Sequence, residues 1–318
     1  MSAHIGIDLG GTHLRGVVLD EATGSIAEEL LAVGQDRAPE AVADRLAELV
    51  GRLLAAEGAA EGAEIAGVGI GVAAWLNGQT GVVHNAPNLG WRDVPLRDLL
   101  ASRLDLPFRL VNDLTAITYG EWKMGAARGA TNLLCVFVGS GLGAGLVLGG
   151  QLHEGATGIA GELGHITVEP DGRPCNCGRR GCLEAYVGGH YLEERVREAA
   201  AAGGHAGALQ AAGGQVEDIT CTALEVAWRN GDPDARALYE EAARWLAIGL
   251  GTAIQVLNPD TLVLGGGVMG ACPGYRSLAL EALHQDCPSA MLHPCHLVPP
   301  KLGRLSGAMG AALLAREL

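Results

Sequence analysis

The chain has 318 residues, of which 48% are hydrophobic, and a formal net charge of −14 at pH 7. Its length suits about two domains of roughly 150 residues, and its apolar content excludes an intrinsically disordered protein. A surface this acidic repels polyanions, which argues against nucleic acid as a partner, and no run of about 18 apolar residues is present to span a bilayer. The 49 glycines are roughly twice the usual share of about 7%, which predicts many tight turns and close backbone approaches.

The first ten residues lack the basic and apolar regions of a signal peptide, so the predicted location is the cytoplasm. In that compartment the eight cysteines are expected to be thiols or metal ligands rather than disulfides.

Strands and helices alternate in the predicted first half. Apolar runs predict strands at 4–8, 14–19, 25–33, 65–72 and 108–111, and helical spacing predicts helices at 39–57 and 113–124.

The opening pattern recurs later, because strands at 133–138 and 144–148 enclose a second glycine turn. This repeat predicts two similar α/β halves facing one cleft. We place a small N-terminal domain at 1–112 and a large domain at 113–306, with a terminal helix at 307–318 packing back on the first domain. The further predicted elements are helices at 183–200, 219–229 and 234–257, a flexible connection at 201–216 and a buried strand at 261–264.

Three glycine clusters follow predicted strands. Exposed backbone N–H groups without a Cβ can hold phosphate, and Asp8 could hold Mg²⁺ directly or through water. Each cluster alone is a weak signal, and Gly10-Gly11-Thr12 by itself is better explained as an ordinary hairpin turn, but together the three point to a nucleotide. None has the spacing of a P-loop or of a Rossmann dinucleotide turn. The candidate nucleotide-binding residues are Asp8, Gly10, Gly11, Thr12, Gly139, Ser140, Gly141, Gly143, Gly265, Gly266 and Gly267.

Asn112 and Asp113 stand where a predicted strand ends and a helix begins. Asp113 alone would be explained as a helix N-cap. The alternative is a carboxylate at the carboxyl edge of a sheet, where it could take a proton from a hydroxyl that attacks a phosphoryl group. The residue pair leaves both interpretations open.

The cysteine-rich segment at 175–182 is the most specific motif. Cys175, Cys177 and Cys182 lie within eight positions, and His165 precedes them. Clustered thiols in a cytosolic chain indicate metal binding, and these four residues would form a closed, structural Cys₃His zinc site.

Polar residues flank the predicted zinc site. Glu162 and Glu184 could both be held toward one small polar ligand, although isolated glutamates are usually solvated surface residues. With Asn85, Asn88 and Asn112 they resemble the lining that a sugar requires, since each desolvated hydroxyl needs a matched partner.

Several of these motifs resemble the ROK family of repressors, open reading frames and sugar kinases. The matching segments, in order, are Asp8-x-Gly-Gly-Thr, Gly139-Ser-Gly-Leu-Gly-Ala-Gly, Gly161-Glu-Leu-Gly-His, Cys175-x-Cys-Gly-x-x-Gly-Cys-x-Glu, and Asn258-Pro followed by Leu-Val-Leu-Gly-Gly-Gly. The resemblance covers the chain from about residue 4 to its end. One segment departs from the family pattern: a Pro-Gly pair followed by Asp is usual where this chain has 73–78.

The resemblance implies two ribonuclease-H-like α/β domains of the actin-like ATPase/hexokinase superfamily, flanking a cleft. It implies ATP with Mg²⁺, a sugar ligand, and assembly into a dimer or tetramer. Asp113 would be the catalytic base for the sugar 6-hydroxyl, and His165 would contact the sugar while ligating zinc. The implied sugar-binding residues are Asn88, Asn112, Asp113, Glu162, His165 and Glu184.

The expected function is therefore an ATP-dependent hexose kinase, a glucokinase that makes glucose 6-phosphate. The alternative is the same chemistry on N-acetylmannosamine or N-acetylglucosamine. A sugar-sensing repressor is disfavoured because the first predicted strand starts by residue 4, which leaves no room for a helix-turn-helix domain. Polyphosphate could replace ATP as donor, although relatives that use it tend to lack the cysteine cluster.

Overall fold

The computed structural model describes residues 2–20, 25–56 and 64–318. The strands are β1 (Ser2–Leu9), β2 (His13–Asp20), β3 (Ser25–Ala32), β4 (Glu64–Val72), β5 (Trp75–Leu76), β6 (Val82–Ala86), β7 (Trp91–Pro95), β8 (Phe108–Asn112), β9 (Leu133–Val138), β10 (Leu142–Leu148), β11 (Gln151–Leu152), β12 (Thr261–Gly265) and β13 (His296–Val298). The α-helices are α1 (Pro39–Ala55), α2 (Leu96–Ala101), α3 (Asp113–Lys123), α4 (Glu184–Val187), α5 (Gly189–Ala201), α6 (Ala206–Ala211), α7 (Cys221–Arg229), α8 (Pro233–Leu257), α9 (Gly267–Ala271), α10 (Pro273–Asp286), α11 (Ser289–Leu292) and α12 (Ser306–Leu314). Within these residues no helix is both long and apolar enough to cross a membrane.

The first sheet has the strand order β3-β2-β1-β4-β8. β1 pairs antiparallel with β2 and parallel with β4, and β4 pairs parallel with β8. The register places Asp8 opposite Gly71, and Val72 opposite Asn112. The carboxyl ends of β1, β4 and β8 therefore share one edge, which is where ligands gather in α/β sheets.

A second sheet has the order β11-β10-β9-β12-β13, and a small third sheet has the order β5-β6-β7. β12 pairs parallel with both β9 and β13. This combination of parallel strands and helices confirms the predicted α/β class.

The chain forms two compact units. Unit 1 comprises residues 1–131, 145–161 and 300–318, and unit 2 comprises 132–144 and 162–299. α3 therefore belongs to unit 1, where it packs against α12, whereas the sequence prediction assigns residues from 113 onward to the large domain.

The C-terminal helix α12 lies against the first sheet of unit 1, in contact with β1, β4 and α3. A glycine in β4 permits this close packing, because a Cβ on Gly69 would lie 1.9 Å from the Ala311 carbonyl oxygen. Nearly all of α12 is buried, so its apolar composition contributes directly to the core of unit 1.

A buried carboxylate joins α3 to the segment that precedes α12. Glu121 is 0% exposed and accepts hydrogen bonds from the backbone N–H groups of Ala126, Lys301 and Leu302 and from the Ser306 hydroxyl, at 2.8–3.1 Å. A carboxylate that accepts several N–H bonds offsets its desolvation cost. Glu121 thus fixes the start of α12 relative to α3.

Replacing Glu121 by alanine is expected to lower the free energy of unfolding by about 4 kcal/mol, because four donors, among them the buried Ser306 hydroxyl, lose their acceptor. Urea denaturation measures this change. The control is Glu48→Ala on the exposed side of α1, where the lost ion pair with Arg52 should cost about 0.5 kcal/mol or less. Equal losses in the two variants would contradict the role given to Glu121.

The structure differs from the predicted elements in a few places. The predicted helix at 183–200 is two helices, α4 and α5, because Gly188 has extended backbone torsions between them. The connection at 201–216 contains α6, and the last predicted helix ends as α at Leu314, followed by a 3₁₀ turn at Ala315–Glu317. The predicted end of the first helix, Glu57, lies outside the described residues.

Candidate functional site

The first glycine turn connects β1 and β2 in unit 1. Asp8 is the penultimate residue of β1, and Gly10 donates its N–H to the His13 carbonyl to close the turn. The Thr12 carbonyl accepts the N–H of Val33, which follows β3. The turn is thereby held from both sides with its glycines at the carboxyl edge of the sheet.

Asp8 keeps some solvent exposure but is closely surrounded by protein atoms. This burial raises the pKa of the Asp8 carboxyl to about 6, and the positive charge of Arg15 on the neighbouring strand lowers it only in part. A bound cation would stabilise the ionised form, so the environment of Asp8 fits a Mg²⁺ ligand.

Because the folded state raises this pKa, ionised Asp8 destabilises the ligand-free protein. The penalty is absent below pH 3.8, grows as pH rises, and is complete above about pH 6. We expect Asp8→Asn to raise the free energy of unfolding by about 1–3 kcal/mol at pH 7.5, with little gain near pH 4. Urea denaturation at both pH values, with exposed Asp44→Asn as control, measures this; a gain independent of pH would contradict it.

Asn112 and Asp113 lie at the same sheet edge, at the junction of β8 and α3. The Asn112 side-chain oxygen accepts the N–H groups of Leu114 and Thr115 at 2.8 and 3.2 Å, and its amide donates to the Ala74 carbonyl at 3.1 Å. The N-cap of α3 is thus Asn112, and the interpretation of Asp113 as N-cap is wrong.

Asp113 is instead the first residue of α3 and is partly buried. A carboxylate in the first turn of a helix is stabilised in its ionised form by the helix dipole. Since capping is supplied by Asn112, the Asp113 side chain is not needed to start the helix.

Asn88 lies in the exposed turn between β6 and β7, and Asn85 is buried within β6. A short strand of the third sheet, β5, forms within the segment that departs from the family pattern. In the same segment, the Ala74 carbonyl accepts the bond from Asn112. This segment therefore supports Asn112, the residue that caps α3.

In unit 2 the other two glycine clusters meet at the ends of neighbouring parallel strands. Gly265 pairs with Phe137, so the cluster 265–267 lies beside the turn 139–143. The Gly139 and Ser140 carbonyls accept N–H bonds from Gly189 and His190 at the start of α5. Both clusters thus present backbone at the carboxyl edge of the second sheet, as the nucleotide prediction requires.

The predicted zinc ligands form one cluster in unit 2. The ligand atoms of His165, Cys175, Cys177 and Cys182 all lie within 4.8 Å of one another. Cys177 Sγ is 3.6 Å from Cys182 Sγ, and Cys175 Sγ is 3.7 Å from His165 Nδ1. A tetrahedral zinc ion requires ligand separations of about 3.6–3.8 Å, so the donor set and its spacing fit Zn²⁺.

The protonation of this cluster also favours a cation. Burial lowers the pKa of His165, although the Glu184 carboxylate opposes the shift, and this direction favours the neutral imidazole that a metal requires. Burial and the bond from Cys177 raise the pKa of Cys182 to about 12. Burial also raises the pKa of Cys175, whereas hydrogen bonds from the Arg179 backbone and the neighbouring thiols outweigh burial and lower the pKa of Cys177. A metal ion would bind the thiolate forms and compensate their charge.

The two predicted glutamates lie next to this cluster. Glu162 Oε2 is 3.7 Å from His165 Nε2, the ring nitrogen that faces away from Cys175. Glu184 Oε2 accepts the Leu142 N–H at 2.9 Å, which connects the cluster to the second glycine turn. Unit 2 therefore brings Glu162, His165 and Glu184 together with the turn at 139–143.

A tyrosine that no sequence motif indicates also contacts the cysteine cluster. The Tyr191 hydroxyl donates to Cys175 Sγ at 3.6 Å and accepts the Asn176 N–H at 2.8 Å. Tyr191 lies on α5, outside the cysteine segment, and only its position on the buried face of that helix could have suggested the contact.

The chain is similar to known proteins both in sequence and in structure. The chain is 36% identical over 324 residues to a glucokinase from Streptomyces coelicolor, covering 100% of this chain and 98% of the relative. It is 31% identical over 318 residues to an N-acetylmannosamine kinase from Haemophilus influenzae, covering 99% and 95%. The crystal structure of a ROK family glucokinase from Streptomyces griseus in complex with glucose and AMPPNP is 33% identical, with a TM-score of 0.81 and 100% of both chains covered.

The fold and the cysteine cluster define a two-unit α/β protein with a Cys₃His cluster that could hold a metal ion. The ROK family profile matches residues 4–318, and the chain belongs to the ROK family. The resemblance noted in the sequence is thereby confirmed, as is the α/β fold expected from it.

Proposed function

We propose that this ROK protein is an ATP-dependent hexose kinase that phosphorylates the 6-hydroxyl of glucose to give glucose 6-phosphate. Identity to a glucokinase over the full chain supports this, as does the similarity to a relative with bound glucose and AMPPNP. The observation that carries the proposal is the sheet edge in unit 1 at which β1, β4 and β8 end: Asp113 follows β8 and begins α3, and Asp8 precedes the glycine turn after β1. β4 lies between these two strands, and a Cβ on its Gly71, which pairs with Asp8, would lie 3.5 Å from the Asp113 Cα. A base and a phosphate-binding turn at one edge are what phosphoryl transfer requires.

In this proposal Asp113 accepts the proton of the sugar 6-hydroxyl as its oxygen attacks the γ-phosphorus. The bond between the γ-phosphorus and the bridging oxygen then breaks, and ADP leaves. Because Asn112 already uses its oxygen and one N–H locally, its remaining N–H is what it offers to the sugar. The full set of proposed sugar ligands is Asn88, Asn112, Asp113, Glu162, His165 and Glu184.

The proposed donor is ATP, held by the backbone of the three glycine clusters, and Asp8 would hold Mg²⁺ directly or through water. The ion would neutralise charge on the transferred phosphoryl group. His165, Cys175, Cys177 and Cys182 would hold a structural Zn²⁺ that fixes the imidazole, leaving Nε2 for the sugar.

The cytoplasmic location stays a prediction from the sequence. A homo-oligomer remains a prediction from the family resemblance.

The second candidate is an N-acetylmannosamine kinase, favoured by the relative that is 31% identical. A coupled ADP-release assay over glucose, mannose, fructose, N-acetylmannosamine and N-acetylglucosamine separates the two. We expect kcat/KM for glucose to exceed that for either N-acetylhexosamine by about tenfold or more. A preference for an N-acetylhexosamine would establish the second candidate, and no turnover with any of these sugars would exclude a hexose kinase.

A further inference from the structure

We infer that Arg37 is a positioning residue for the sugar, which acts by fixing the turn that carries Asn88. This inference rests on the proposed function, because it assumes that Asn88 contacts the hexose. All of the contacts that support it lie within unit 1.

The guanidinium of Arg37 reaches across 51 positions of sequence. Its Nη1 donates a hydrogen bond of 2.5 Å to the backbone carbonyl of Asn88. In the opposite direction, the indole N–H of Trp91 donates to the Arg37 carbonyl at 2.7 Å. These two bonds connect the segment between β3 and α1 to the β6–β7 turn and to the first residue of β7.

The anchor for this connection is rigid, although Arg37 itself is exposed. Trp91 is only 3% exposed and packs in the core of unit 1. The segment that carries Arg37 is also held at both ends, since Val33 donates its N–H to the Thr12 carbonyl and Arg45 donates to the Asp36 carbonyl at 2.8 Å.

The first glycine turn limits the position of Asn88 from another direction. A Cβ on Gly11 would lie 2.9 Å from the Asn88 Cβ, so the absence of that carbon allows Asn88 to pack directly on the turn. Asn88 is thus placed between the predicted phosphate-binding turn and the carbonyl anchor from Arg37. Removing the Arg37 side chain would remove the hydrogen bond to the Asn88 carbonyl, while the packing of Asn88 on Gly11 would remain.

The test is a double-mutant cycle with Arg37→Ala and Asn88→Ala, read as steady-state kinetics and as the Kd for glucose by calorimetry. Arg37→Ala should raise the KM and Kd for glucose about five- to tenfold, which is the loss of affinity expected when one hydrogen bond is removed. The KM for MgATP should stay unchanged. In the Asn88→Ala background the same change should have little effect, because the side chain that Arg37 positions is gone. Arg37→Lys should restore part of the affinity.

Arg52→Ala is the matched control, since Arg52 is an exposed arginine of the same unit that bonds to Glu48; it should leave the KM and Kd for glucose unchanged. Additive effects of Arg37→Ala and Asn88→Ala, or an unchanged KM and Kd in Arg37→Ala, would overturn the inference alone. If the wild-type protein binds glucose but prefers another hexose, the same double-mutant cycle is measured with that hexose, and the same outcomes support or overturn the inference. A wild-type protein that binds none of the hexoses contradicts the proposed function, and this inference with it.

Discussion

Replacing Asp113 by asparagine is expected to lower kcat for glucose phosphorylation by about 10³-fold, with KM for glucose changed only slightly. The substitution keeps the shape of the side chain but removes its ability to accept the hydroxyl proton, and general-base catalysis typically contributes about 10²–10⁴-fold. Steady-state kinetics with the coupled ADP assay measures the change.

In the structure, Asp113 can be changed without removing the hydrogen bonds that cap α3, so the variant tests catalysis separately from folding. Asn112 caps α3, so the helix keeps both capping bonds when Asp113 is changed. We expect the free energy of unfolding to change by about 1 kcal/mol or less, from the lost interaction with the helix dipole. A variant that keeps a tenth of the wild-type kcat would exclude Asp113 as the base.

The second large effect is expected at the cysteine cluster. Purified protein should contain one zinc ion per chain by elemental analysis, and Cys182→Ser should lose it. Because a metal bound only by the folded state contributes to folding, the variant should be destabilised by about 4 kcal/mol or more. Its activity should also fall by at least about tenfold, since His165 would lose the ion that orients it.

Cys287→Ser is the matched control, because Cys287 is a buried thiol that does not belong to the cluster. That variant should keep its zinc and most of its activity. Zinc content that is the same in both variants, or absent from the wild-type protein, would contradict the proposed centre.

Most of the fold could be predicted where one local signal dominates. β4 and β12 consist mainly of apolar residues and glycine, and α8 has clear helical spacing, so each lies close to its predicted limits. The third sheet could not be predicted because β5 has only two residues, and the five-residue strands β6 and β7 carry His84, Arg92 and Asp93 among their apolar residues. A strand this short carries no periodicity to detect.

The functional site likewise contains features that the sequence predicts and features that it does not. The cysteine cluster could be predicted because its ligands are closely spaced and of one chemical kind. The cap of α3 could not, because asparagine and aspartate are about equally good N-caps and stand side by side at 112 and 113. Arg37 could not be predicted at all, since nothing in the sequence connects it to a turn 51 positions away.

The most direct test of the proposed function is identification of the product by ³¹P and ¹³C NMR after incubation of the wild-type protein with glucose, ATP and Mg²⁺. The expected product is glucose 6-phosphate, formed in equal amount to ADP, with no phosphorylation of 6-deoxyglucose. Phosphate on any other hydroxyl of glucose, or ADP formed without a phosphorylated sugar, would contradict the assignment.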